Sequence, residues 1–114
     1  MTDLEKSRAE TARGCYQAYV EGRPDIMAAA ITEDFAFSSP QDDHIDRNAY
    51  FERCWPENSP FQAIDIEHLV FDGDVALIGY RAEKLDGSAF RNVELMRFEG
   101  DRIAEVTVYF GRSV

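Results

Sequence analysis

Two periods divide the chain. Before Phe61, apolar residues recur every three or four positions, as on one face of a helix. From Phe61 to Phe110 they alternate with polar ones, as in half-buried strands. The helical part predicts a first helix from about Asp3 to Glu21. Thr2 and Glu5 form a capping box at its start, and Gly22 supplies a left-handed stop. Leu4, Ala12, Cys15, Tyr16 and Tyr19 mark its apolar face. Pro24 and Asp25 open a shorter second helix, PDIMAAAI, with proline tolerated in the first turn. Phe35 and Phe37 then alternate with small residues from Asp34 to Ser38, a short strand that Pro40 ends. The segment PQDDHID reads as a loop leading to Asp46, a good N-cap. A third helix, RNAYFERCW, places Tyr50/Cys54 and Phe51/Trp55 four apart, and Pro56 stops it.

The strand period yields four segments: FQAIDIEHLVF, VALIGYRAEK, AFRNVELMRFE and RIAEVTVYF. Hairpin signals separate them at Asp72-Gly73, Asp86-Gly87 and Gly100-Asp101. Helices first and a meander afterwards predict an α+β domain spanning residues 1–114, with the helices covering one sheet face.

The length of the last hairpin decides which side chains point inward. A two-residue loop would set Glu94 beside Glu105 and Thr107. A three-residue loop, Gly100-Asp101-Arg102 with a bulge, sets it beside Asn92, Met96, Phe98, Ala104, Val106, Val108 and Phe110. The second option gathers Arg91, Arg97, Glu105 and Thr107 on the other face, beside Val93, Leu95 and Tyr109. It is preferred because burying unpaired polar groups is costly. Asn92 and Glu94 are then the polar side chains these strands send inward. The Asp86-Gly87 hairpin leaves two alternatives. A two-residue loop puts Arg81 near Glu94, and a three-residue loop puts Tyr80 there.

Composition narrows the partners. The 114 residues carry 12 basic and 22 acidic side chains, a net charge of -10. Such a surface repels nucleic acid and anionic membrane, so neither is expected as a partner. The start lacks a basic and apolar leader, and no apolar run approaches a membrane span, so a cytoplasmic protein is expected. The two cysteines, Cys15 and Cys54, have no metal-site or disulfide-framework spacing and read as buried thiols. Asp42, Asp43 and His44 are consecutive, and adjacent residues rarely converge on one ion. No metal and no cofactor are therefore expected. GxSxG, P-loop, GxGxxG and HExxH motifs are absent.

The segments GRPDIMAAAITEDFAFSSP and ELMRFEGDRIAEVTVYFG, in the order helix, helix, strand, helix, four-strand meander, resemble the nuclear transport factor 2-like superfamily. Its members include ketosteroid isomerases, scytalone dehydratase and SnoaL-like polyketide cyclases. SPQDDHIDRNAYFERCWP looks like a subgroup of SnoaL-like bacterial proteins. The resemblance implies a cone-shaped α+β fold, a curved antiparallel or mixed sheet packed on three N-terminal helices. It also implies dimers through the outer sheet face. In ketosteroid isomerase an aspartate just before the proline after the first strand is the base, and this chain has Ser39 there, which cannot fill that role. The isomerase's protonated aspartate on the penultimate strand, an oxyanion donor, matches Glu94. Its first-helix tyrosine falls near Cys15 or Tyr16.

These readings give a candidate site. Glu94 is the group that polarises or protonates a carbonyl. Asp43 or His44, in the loop expected to rim the mouth, is the base. Tyr16, Trp55, Asn92, Arg81, Phe37 and Phe110 are candidate substrate contacts in an apolar pocket. The expected partners are a small, mostly apolar carbonyl compound and a second copy of the chain. The expected activity is a cofactor-free isomerase, cyclase or dehydratase. The alternative is a non-catalytic ligand-binding or protein-interaction module in which Glu94 is a satisfied structural group.

Overall fold

Helices and strands follow one another in the order α1 (Asp3–Glu21), α2 (Pro24–Ala30), β1 (Ile31–Ser39), β2 (Asp42–Asp46), α3 (Arg47–Cys54), β3 (Phe61–Asp72), β4 (Val75–Lys84), β5 (Ala89–Glu99) and β6 (Arg102–Ser113). The computed structural model describes residues 1–114. All the strands join one sheet, ordered β2-β1-β6-β5-β4-β3. β1 runs parallel to β6, and every other neighbouring pair is antiparallel. The three helices and this curved mixed sheet form the expected α+β cone.

Local signals set the element ends. Thr2 Oγ1 accepts from Glu5 N at 3.1 Å, and Glu5 Oε1 accepts from Thr2 N at 2.9 Å, which closes the capping box. Asp46 caps α3 through Ala49 N at 2.9 Å. The sequence missed β2. Ser-Pro-Gln-Asp makes a tight turn at residues 39–42, and the acidic stretch pairs back on β1. Charges suit it to the sheet edge that it occupies.

α1 buries most of the expected face, with an exchange in its first turns. Leu4 is exposed, and Arg8 is buried beside Ala9, Ala12, Cys15 and Tyr16. Arg8 Nε donates to the Gly100 carbonyl at 2.7 Å, Nη1 pairs with Asp74 Oδ1 at 3.1 Å, and the guanidinium lies over the Phe98 ring. One long side chain thus ties α1 to two hairpin turns.

The hub hairpin keeps the expected facing by another device. The turn is the two residues Gly100-Asp101, with Gly100 at φ 61. The extra residue sits in a bulge, where the register slips between Phe98↔Ile103 and Arg97↔Glu105. Beyond it Glu94 lies opposite Val108, on the face of Asn92, Met96 and Val106. A second bulge, between the Phe90 and Asn92 pairs, brings Gly111 against β5. A Cβ there would lie 2.0 Å from the Arg91 carbonyl oxygen, so only glycine fits. Bulges bend strands and increase their twist, and these help curl the sheet into a cone.

The core lies between the concave face and the helices, with Ile31, Phe35, Ile78, Met96 and Ile103 fully buried. No helix is long and apolar enough to cross a membrane.

Candidate functional site

The wide end of the cone is not filled. A cavity of about 490 Å³ lies between the sheet and α1 and α3. Its apolar walls include Phe37, Tyr50, Trp55, Phe61, Met96, Val106 and Phe110. The lining residues that reach the surface are Gln41, Glu52, Arg53, Pro56 and Phe110, and they mark the mouth. It opens between the β1–β2 turn, the end of α3 and the end of β6. Tyr19 closes one side: its hydroxyl donates to the Cys54 carbonyl at 2.8 Å and its ring meets the Trp55 ring edge-on.

Glu94 stands on the inner face of β5. Protein surrounds it, yet it keeps some accessible surface, and that surface belongs to the cavity. Tyr16 OH donates to Oε1 at 3.0 Å and Tyr80 OH donates to Oε2 at 2.7 Å. Asn92 Nδ2 donates to the Tyr80 oxygen at 3.2 Å, and Asn92 Oδ1 accepts from Gly111 N at 3.0 Å. A chain of hydrogen bonds therefore runs from the β6 backbone to the carboxyl group, and no cation pairs with it. Burial pushes the Glu94 pKa up, and the donors Tyr80 and Tyr16 only partly oppose it. Burial, with the Glu94 charge behind it, pushes both phenols the other way from reactivity: Tyr16 and Tyr80 stay protonated well past the usual tyrosine range. Cys15 is pushed up to about 12 and Cys54 to about 11, mainly by burial, so neither wall thiol is a ready nucleophile.

The structure brings together six of the sequence-selected residues around Glu94: Tyr16, Phe37, Trp55, Asn92, Phe110 and Glu94 itself line one cavity. It leaves three outside. The β4–β5 hairpin takes the three-residue alternative: Lys84 N donates to the Ser88 carbonyl at 2.8 Å, which leaves Leu85, Asp86 and Gly87 as the loop. The resulting register sets Tyr80 on the Glu94 face and turns Arg81 outward, 3.5 Å from Glu83. Asp43 and His44 are displaced by the bulge in β2, where His44 takes a φ of 48. His44 Nδ1 meets Asp43 Oδ1 at 2.6 Å and Nε2 faces Glu105 Oε2 at 3.4 Å, on the outer side of the sheet. Asp43 raises the His44 pKa there, but neither residue lines the cavity. A base at the mouth from either is corrected by this geometry.

The acid that does turn inward is Asp42, one position earlier. Proline at the second position of a tight turn was the available signal: Ser39-Pro40-Gln41-Asp42 pairs its outer residues and aims both side chains one way. Tyr50, on the inner face of α3, also lines the cavity, with its ring against Phe35 and Phe37. No three His, Cys, Asp or Glu side chains converge as a metal site would require.

The sequence model of the SnoaL-like domain matches residues 12–106. The chain belongs to the SnoaL-like family. This SnoaL-like domain also resembles solved structures of the NTF2-like fold. A Mesorhizobium loti NTF2-like protein of unknown function shares 25% identity at a TM-score of 0.77, with 98% of this chain and 97% of that one covered. A candidate ketosteroid isomerase from Kribbella flavida shares 23% at a TM-score of 0.77, covering 100% and 84%. A candidate SnoaL-like polyketide cyclase from Jannaschia shares 13% at 0.73, covering 95% and 88%. Similarity this low carries the fold, not an activity. A search of curated proteins found no match.

Proposed function

We propose that this SnoaL-like protein is a cofactor-free enzyme, an isomerase, cyclase or dehydratase, acting on a small, mostly apolar carbonyl compound held in the cone. The observation that carries the reading is Glu94: a carboxyl group with a raised pKa and no cationic partner, held by two tyrosines at the wall of an apolar cavity. A neutral carboxylic acid there donates a hydrogen bond to a carbonyl oxygen. It strengthens that bond as the oxygen gains charge, which lowers the barrier to enolisation or dehydration. The relatives named for isomerase and cyclase chemistry are consistent with this class of substrate.

The test uses Trp55, the single tryptophan, which lines the cavity. Cyclic and aromatic ketones are screened by Trp55 fluorescence and by melting temperature, with wild type and Glu94→Gln side by side. A ligand that uses Glu94 binds the variant about tenfold or more weakly, the value of one hydrogen bond to such a group. If no ketone binds wild type, or all bind both proteins equally, the reading is wrong.

One observation favours a non-catalytic ligand carrier instead: Tyr16 and Tyr80 already fill an acceptor site on each Glu94 oxygen. In that case a ligand binds but is recovered unchanged.

The partner proposed for the outer sheet face is a second copy of the chain. Val70, Leu77, Val93 and Tyr109 are exposed there. Arg81, Arg91 and Arg97 pair with Glu83, Glu67, Glu99 and Glu105. These pairs offset part of the acidic charge on that face, which lowers the repulsion between two copies of a chain of net charge -10.

A further inference from the structure

We propose that Asp42 is the proton-abstracting base of the cavity. It takes a C–H proton next to the carbonyl that Glu94 holds, an inference that rests on the function just proposed. Asp42 is the acid of the Asp42-Asp43-His44 run that lines the cavity; its side chain is only 9% accessible, against 94% for Asp43. Two groups hold it. Ser39 Oγ accepts from Gln41 N at 3.0 Å, which turns its own proton toward Asp42 Oδ2 at 3.2 Å. Arg53 Nη2, from the last turn of α3, stands 2.8 Å from Oδ1 but off the line of a good hydrogen bond, so Oδ1 is covered and yet lacks a bonded donor. A carboxylate has about four acceptor sites, and the protein fills few of these. An ion pair whose arginine is more than half exposed contributes little net stability, so holding the turn closed is a weak reason to place one here.

The arrangement separates two carboxyl groups by environment. Glu94 is cradled by phenols and has no cation. Asp42 sits beside a guanidinium at the mouth. With the carbonyl oxygen on Glu94, the carbon next to it is left facing the rest of the cavity, whose other carboxylates are Asp42 and, exposed at the mouth, Glu52. In the step, the C–H bond breaks and its proton passes to Asp42. The electron pair becomes the C=C bond of an enolate whose oxygen accepts from Glu94. Return of the same proton to a different carbon completes an isomerisation with no co-reactant.

The test uses 5-nitrobenzisoxazole, a flat apolar carbon acid. A base removes its ring proton, the C–H pair forms the nitrile, and the N–O pair leaves as a coloured phenolate. Binding is followed separately by Trp55 quenching. The expected result is wild-type turnover above that of free acetate. It falls about a hundredfold in Asp42→Asn, the range of a general base, with quenching within twofold of wild type. Asp43→Asn, an exposed neighbour, keeps the wild-type rate. Ser39→Ala lowers kcat with quenching unchanged, a split that a purely structural serine would not give, and it covers the case in which Asp42→Asn folds poorly. Bound probe that wild type does not convert, or an Asp42→Asn rate equal to wild type, overturns the base while leaving the ligand pocket intact. A probe that never quenches Trp55, where a ketone does, overturns the base alone; if no ketone quenches either, both readings fall.

Discussion

Glu94 makes a prediction about pH whose sign follows from its surroundings. Its folded pKa lies above the ordinary value of 4.5 because burial disfavours the charge. Below that ordinary value both folded and unfolded chains hold the proton, and burial costs nothing. As pH rises the unfolded chain releases it first, so the folded state loses stability until its own raised value is passed. Each tenfold preference of the folded state for the proton costs about 1.4 kcal/mol at neutral pH. Urea midpoints of wild type and Glu94→Gln, measured between about pH 4 and pH 8, should therefore diverge in favour of the variant as pH rises and then run parallel. A constant gap across the range would mean that Glu94 is ionised as easily inside the cone as outside it.

Arg8 carries the corresponding prediction for elements. Its hydrogen bond to the Gly100 carbonyl is partly buried, whereas its partner Asp74 is 73% exposed. Arg8→Met should cost about 1–3 kcal/mol in urea denaturation, through the orphaned carbonyl and lost packing. Asp74→Asn should cost under about 1 kcal/mol, because an ion pair with an exposed member is screened. Equal losses would shift the weight to the ion pair. Arg8 also illustrates what the sequence hides. Periodicity located all three helices and the four-strand meander, since burial of one face dictates spacing. It assigned Leu4 to the core and overlooked Arg8, because an arginine becomes a core residue only when two distant turns supply its acceptors. The facing of Glu94 was legible from the cost of burying charge, although the hairpin uses a bulge after a two-residue turn. The identity of the inward acid in the Asp42-Asp43-His44 run was not legible. It depends on a β2 bulge that reverses simple alternation.

For the whole molecule, the outer sheet face predicts association. Light scattering should report about 26 kDa, twice the 13.0 kDa chain. Val93→Asp, which puts a charge at the centre of that face, should return the mass of one chain with the melting transition retained. Added salt should favour the larger species, because two copies of net charge -10 repel less when screened. A single-chain mass for wild type at high salt would end the dimer proposal.

The position of β6 within the sheet has a consequence in time. The last of these strands in chain order is flanked by both halves of the sheet, with β1 on one side and β5 on the other. On a ribosome, β1 and β2 emerge early and can pair with each other, but the other edge of β1 stays open until β6 follows. The hairpins from β3 to β5 can form locally, but the cone cannot close, nor the cavity exist, before β6 has emerged. Long-range parallel pairing of this kind is slow and leaves strand edges open meanwhile. The charged, short β2 then protects the nascent chain as well as the finished sheet, because its acidic edge is already present while the chain waits for its last strand.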